Sequence, residues 1–232
     1  MFKNPQAAER ITRILQLIQP GKKFSIEDQK NIQLDSYLRG AEEDMPLFEG
    51  WKAKEIEVES ARAALLKWDR TLRKESMEAA VYIAWRDAVD RNVRNAATDL
   101  AARRELAQAG LERAIQRLKS DLGPERSQWR YGRLHTRPFP HPFVSDFDLA
   151  TVERGGGAGT VAADGASFRE ILDAGDWDRS VVTQVPGQSG QPESKFYGDL
   201  LPLWAGNEYF PLVFSGKAVE GRATHRLKLQ PR

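Results

Sequence analysis

Apolar positions in the first half of the chain recur at helical spacing, whereas those in the last third fall in short runs cut by glycine and proline. Arg10, Ile11, Ile14, Leu15, Leu17 and Ile18 trace one face of a helix that Pro20-Gly21 closes. Ser25-Ile26-Glu27-Asp28 reads as a capping box, the serine hydroxyl and the acid three residues on satisfying free N–H groups. It opens a second helix carrying Ile26, Ile32, Leu34, Tyr37 and Leu38. Ala61, Ala64, Leu65, Trp68 and Leu72 form a third stripe, and Ser76 can cap a fourth through Ala79, Ala80, Ile83, Ala84 and Trp85. From Val89 through Val93, Ala97, Leu100, Ala107, Leu111, Ile115 and Leu118 the period holds up to Gly123-Pro124, which predicts one long helix or two broken near Gly110.

The pattern changes near Tyr131: of the 18 glycines, 5 precede that residue and 13 follow it, so strands and turns are expected there. Trp129 to Thr136 begins this part, and the prolines after Arg137 bar a regular central strand. Ser167 to Leu172 and Val181 to Val185 read as strands, the second ended by Pro186-Gly187. Phe196, Tyr197, Leu200, Leu201, Leu203 and Trp204 have the spacing of a short amphipathic helix, and Tyr209 to Phe214 that of a closing strand. The expectation is an α+β chain with a helical region over residues 1–124 and a strand-rich region over 125–232.

Charge removes one class of function. Lys and Arg number 35 against 33 Asp and Glu, a net charge of +2. Nucleic-acid binding needs clustered excess base, and in the densest stretch, Arg86 to Arg104, acids are interleaved as on a solvated helical face. No cysteine is present, so disulfides and thiolate metal sites are ruled out. No apolar run approaches a membrane span, and Met1 to Gln6 lack the apolar core of a secretory signal.

Candidate chemistry is sparse. His135, His141 and His225 invite comparison with a zinc hydrolase, but no HExxH occurs and the spacing of the first two suits structural roles better than shared ligation. Ser189 in Gly187-Gln188-Ser189-Gly190 falls short of a nucleophile elbow because Gln191 occupies the place of the last glycine, so it reads as a turn residue. Gly155 to Gly159 matches neither glycine-rich phosphate-binding pattern.

Five short words nevertheless stand in a telling order: Ser167-Phe168-Arg169, Gly175-Asp176-Trp177-Asp178, Pro186-Gly187-Gln188-Ser189-Gly190, Asp199-Leu200-Leu201-Pro202-Leu203-Trp204 and Tyr209-Phe210-Pro211-Leu212. Together they resemble the C-terminal end of the penicillin acylase (penicillin amidase) family of N-terminal-nucleophile hydrolases. Arg10-Ile11, Phe24 to Asp28, Gln33 to Tyr37, Lys67-Trp68-Asp69 and the Gly132-Arg133-Leu134-His135 strand with its His141-Pro142 turn resemble that family further upstream. The resemblance weakens between Arg86 and Arg113, where family members carry more chain, so this sequence looks internally shortened.

What the resemblance implies is the C-terminal part of an αββα large (β) subunit whose whole enzyme hydrolyses linear amide C–N bonds, such as β-lactam side chains or acyl-homoserine lactones. In that family an N-terminal serine, activated by its own α-amino group, attacks the amide carbon, and an asparagine in a Trp-Asn context helps hold the oxyanion. Neither has a match here; Asn4 has no tryptophan before it and stands too close to Arg10. Arg10 alone carries over, matching an arginine that orders the catalytic site. The implied partners are the N-terminal portion of the acylase, comprising the small subunit and the start of the large one, and an N-acyl small molecule. No cofactor is expected in this chain, since the calcium some members bind is held by upstream residues. The implied location is periplasmic or extracellular. A non-catalytic helical interaction protein, or a decayed remnant of such an enzyme, is the alternative.

Overall fold

In the computed structural model, which describes residues 5–89, 99–162 and 166–230, the first apolar stripe forms helix α1 (Pro5–Leu17). The Pro20-Gly21 stop holds, with Gly21 at φ +78°. Helix α2 (Ile26–Gln33) begins at the expected capping box: Ser25 Oγ accepts the Asp28 N–H, and the Asp28 carboxylate accepts the Ser25 N–H and O–H. It ends earlier than its apolar pattern suggests. Leu34, Tyr37 and Leu38 lie beyond it, because residues 36–38 pair with the chain near Thr71: Leu38 N–H donates to Arg70 O, and Leu72 N–H to Ser36 O.

Contacts divide the chain into two compact units, Met1–Lys22 with Ile32–Asp164, and Lys23–Asn31 with Gly165–Arg232. The change of composition near residue 124 does not coincide with this division, since the first unit holds strands as well as helices.

The first unit is built on helices α3 (Ile56–Lys67), α4 (Met77–Ala88) and α5 (Leu100–Leu122). Ser76 caps α4 through the Ala79 N–H, as expected, and Asp99 caps α5 through the Ala102 N–H. The α3 stripe outlasts its helix: Trp68 is already extended and Arg70 adopts φ +61°, yet Ala61, Leu65, Trp68 and Leu72 all reach the core. Helix α5 runs unbroken through Gly110, so of the two alternatives for this stretch the break there does not form. The glycine serves close approach instead, since a Cβ at 110 would stand 2.0 Å from Val89 Cγ2 and 3.2 Å from the Trp85 indole nitrogen. Val93 and Ala97, part of the same stripe, lie outside the described residues. Phe48, Trp85, Tyr82 and Trp68 stack in turn through the centre, with ring centroids 4.8, 5.7 and 5.0 Å apart.

The Gly-Arg-Leu-His word forms a helical turn, α6 (Tyr131–Leu134), rather than a strand. Its first N–H groups donate away from any sheet, Tyr131 to Ser76 O and Gly132 to Lys74 O. Strands β1 (Thr136–Phe139) and β2 (Leu149–Glu153) follow as an antiparallel pair. Pro138 falls at the register shift between Arg137 and Phe139, which is the place in a two-stranded sheet where a missing donor is tolerated.

In the second unit β3 (Phe168–Ile171), β4 (Val181–Gln184) and β5 (Phe210–Pro211) form an antiparallel sheet in the order β3-β4-β5. The amphipathic run ending at Trp204 is helical only over α7 (Leu201–Ala205), because the Phe196 carbonyl accepts the N–H groups of Gln188 and Ser189 and so stays in the loop. The closing strand is also shorter than expected, two residues long, and Pro211 has no N–H to give to the ladder. The last helix is α8 (Gly216–Arg222). Mixed helices and antiparallel strands are thus the architecture, as expected, and no helix among the described residues is long and apolar enough to cross a membrane.

One ion pair is expected to make the first unit acid-sensitive. Glu59 accepts from Arg62 Nε at 2.8 Å and Nη2 at 2.6 Å, and from the Ala53 N–H at 2.9 Å. The Arg62 bonds first, then the Ala53 N–H, pull the carboxyl from 4.5 down to about 2. A carboxyl whose folded pKa lies below its unfolded value contributes stability that is full above the unfolded value and disappears as pH falls through the folded one. Thermal melts of Glu59→Gln should therefore start lower at neutral pH and fall less steeply between pH 4.5 and 2 than wild type. Parallel acid limbs for the two proteins would rule the pair out as a source of that sensitivity.

Candidate active-site support around Arg10

Helix α1 and the glycine-rich loop after β2 meet at Arg10. Its Nε donates to the Thr160 carbonyl at 2.9 Å, and among the described residues this is the guanidinium's hydrogen-bond partner, so both Nη edges are uncommitted. The loop is stiffer than five clustered glycines and alanines suggest. Thr160 is fully buried; its hydroxyl bonds the Gly157 and Ala162 carbonyls at 3.0 and 3.1 Å, and the Gly157 N–H points back to it. Gly156 and Gly157 take φ +75° and +146°, and a Cβ at Gly156 would lie 2.0 Å from the Ala162 carbonyl oxygen, so the tight return is open to glycine alone. The Tyr131 hydroxyl donates to Gly156 O at 2.8 Å and fastens the loop from the other side.

One turn along α1, Arg13 is bound quite differently. Its Nε and Nη2 reach the two oxygens of Asp35 at 3.0 and 2.7 Å, and its guanidinium lies 4.6 Å from the Tyr37 ring centroid. The bond to Asp35 is the main reason the arginine's pKa is raised. Tyr37 donates to Glu42 at 2.6 Å and accepts from Arg70 at 3.0 Å; burial, and then the bond to Glu42, lift its phenol above the usual value. The backbone of Asp35 accepts the Ala162 N–H, so this network and the glycine loop brace each other. Arg13 is thus a structural residue, whereas Arg10 is held by one edge and offers the other.

The remaining candidates lie apart. Ser189 Oγ accepts the Gln191 N–H at 3.0 Å, the turn role expected of it. His135 has its Nδ1 3.1 Å from Arg154 O and stacks on Tyr131, His141 accepts the Phe143 and Val144 N–H groups, and His225 pairs with Thr224. Among the described residues no three His, Asp or Glu side chains gather at metal-binding distance. Asn4 lies outside the described residues. Sequence reasoning missed the part played by Thr160. A backbone carbonyl leaves no mark in residue identity, and only the glycine cluster signalled that the chain doubles back there.

The penicillin amidase family model matches residues 2–221. The penicillin acylase 2 proenzyme of Pseudomonas sp. (strain SE83) is 23% identical over 289 residues, covering 96% of this chain and 35% of its own length. The chain therefore spans about a third of that relative. Since 96% of 232 residues is about 223, about 66 of the 289 aligned positions have no counterpart here, which fits an internally shortened sequence. A thermostable penicillin G acylase from Alcaligenes faecalis, solved in an orthorhombic form, overlaps all of this chain and 54% of its own at 15% identity, with a TM-score of 0.47.

Proposed function

The chain belongs to the penicillin amidase family, and from that premise we propose that it serves as the C-terminal part of an acylase large subunit that hydrolyses linear amide bonds. The reactive serine and the oxyanion asparagine would come from polypeptide outside these 232 residues. The observation carrying this reading is the state of Arg10, anchored at Nε to Thr160 with its Nη groups uncommitted. A guanidinium so held presents a rigid, permanently charged donor edge without needing to exchange protons.

In the assembled enzyme the serine hydroxyl adds to the amide carbon while its proton passes to the α-amino group. The C–N bond then breaks, the amine leaves with that proton, and water releases the acid from the acyl-enzyme. Arg10 would orient acceptors around the serine and asparagine and bond none of the atoms that change. Substrates of this class include β-lactam side-chain amides and acyl-homoserine lactones, and periplasmic or extracellular action follows the family. In the same assembly the short strands of both units would contribute to an αββα sandwich.

Expression tests the proposal. The purified 232-residue chain should give no turnover of phenylacetyl or long-chain acyl amides, and co-expression with the polypeptide encoded immediately upstream in its genome should restore it. Turnover by the chain alone, abolished in Ser189→Ala, would overturn the reading. An upstream region with no Ser-Asn strand and no Trp-Asn word, and no activity on co-expression, would favour a non-catalytic interaction protein or a decayed remnant.

A further inference from the structure

Among the described residues the second unit carries an arginine, Arg169, for which no ion pair with a carboxylate forms. Arg169 of β3 stands opposite Thr183 of β4, and the Val182–Phe210 pairing continues that row to Tyr209. The Arg169 guanidinium lies 5.7 Å from the Tyr209 ring centroid. Lys30 of α2 also lies 5.7 Å from that centroid, bringing a second positive charge to the ring. Among the described residues Lys30 is itself ion-paired with Glu27 at 3.3 Å. Glu170 alternates to the opposite sheet face, where it pairs with Val182.

Two residues of this row, Arg169 and Thr183, carry donors that bond no acceptor among the described residues. Nε and Nη2 of Arg169 are shielded from solvent and bond no acceptor, and the hydroxyl of Thr183, a fully buried residue, has no partner either. Burial pushes the Arg169 pKa down, offset only in part by the neighbouring Tyr209 phenol. A cation over an aromatic ring recovers only part of what charge-assisted donors lose when water is removed. Nη1 is not among the shielded donors, so the guanidinium is approachable at that corner.

We propose that Arg169, Thr183, Tyr209 and Lys30 form a binding site for a small monocarboxylate, separate from the Arg10 support and independent of the amidase reading. A planar two-oxygen anion matches the guanidinium fork. Entering at Nη1, it gains Nη2 by a small turn of the side chain; the Thr183 hydroxyl is the further donor of the row, and the Lys30 ammonium adds positive charge at the same ring. The phenol ring forms an apolar wall against which the body of the acid lies.

The test uses the full chain and acetate as the probe. Melting temperature is followed as sodium acetate replaces sodium chloride at constant ionic strength. Wild type should show a saturable rise of about 4 °C at ten times the half-saturating concentration. Arg169→Met should lose the saturable part, leaving only the general salt response. Thr183→Val and Lys30→Met, which keep the guanidinium, should each raise the half-saturating concentration about tenfold, the loss of one charge-assisted bond. No acetate-specific rise in wild type, or an equal rise in Arg169→Met, overturns the proposal. Should Arg169→Met fail to fold, unchanged half-saturation in both other variants overturns it as well.

Discussion

Arg10→Lys in the reconstituted acylase should lower kcat by tenfold or more while leaving the melting temperature nearly unchanged. The guanidinium is tied to the fold by a single bond from Nε to the Thr160 carbonyl, and a lysine ammonium can still reach a backbone oxygen in this half-buried setting. What lysine cannot supply is the second, planar edge. If the Nη groups hold acceptors around the reacting serine, losing one or two charge-assisted bonds of about 1.5–3 kcal/mol each accounts for a factor of ten or more. KM should move less than kcat, because groups that orient the serine act on the chemical step more than on substrate capture.

The control has to be chosen from the structure. Arg13, adjacent on α1 and outwardly equivalent in sequence, is bonded twice to Asp35 and stacked on Tyr37, so Arg13→Lys would disturb folding and confuse the comparison. Arg222 at the end of α8 is exposed and suits the purpose. Equal small effects from Arg10→Lys and Arg222→Lys would reduce Arg10 to part of a solvated helix face.

What the sequence disclosed and what it concealed divide by the range of the interactions involved. Helix starts at Ser25 and Ser76 were readable because a cap is closed within four residues, and both bonds form as the residues imply. The turn at Ser189 was readable for the same reason. The choice between the two readings at Gly110 was not legible because its smallness answers to Trp85 of α4 and to Val89 just past that helix, which periodicity along one helix cannot show. Gly132 was misread as strand because its N–H and that of Tyr131 are taken by Lys74 and Ser76, far back in the chain. The site follows the same division. Arg10 is a candidate only through a family word, while its anchor is a carbonyl 150 residues away that any residue type could provide.

The apolar stripe of α1 was legible as a helix but not as core: Leu15 is 69% exposed and Ile18 46%. The core of the first unit centres instead on the aromatic file from Phe48 to Trp68, and its fully buried tryptophan sets the strongest stability prediction. Trp85 is fully buried, packs edge-on against Phe48 at 4.8 Å, and donates its indole N–H to Ala107 O at 3.0 Å. Trp85→Ala should destabilise the first unit by about 3–5 kcal/mol, the range for removing a buried aromatic from a core that cannot collapse around the gap. Ala107 O, a carbonyl in the interior of α5, keeps its helical partner, so no unpaired acceptor adds to that figure.

Gly110→Ala attacks the same contact from the other side. The new methyl must displace Val89, and overpacking of this kind typically costs about 1–3 kcal/mol. In the double variant the space vacated by Trp85 lets Val89 move aside, so adding Gly110→Ala to Trp85→Ala should cost at least 1 kcal/mol less than adding it to wild type, by the logic of coupled neighbours. Urea denaturation of the four proteins measures this coupling. Strictly additive losses would show that Gly110 is small for a reason other than the close approach of α4 to α5.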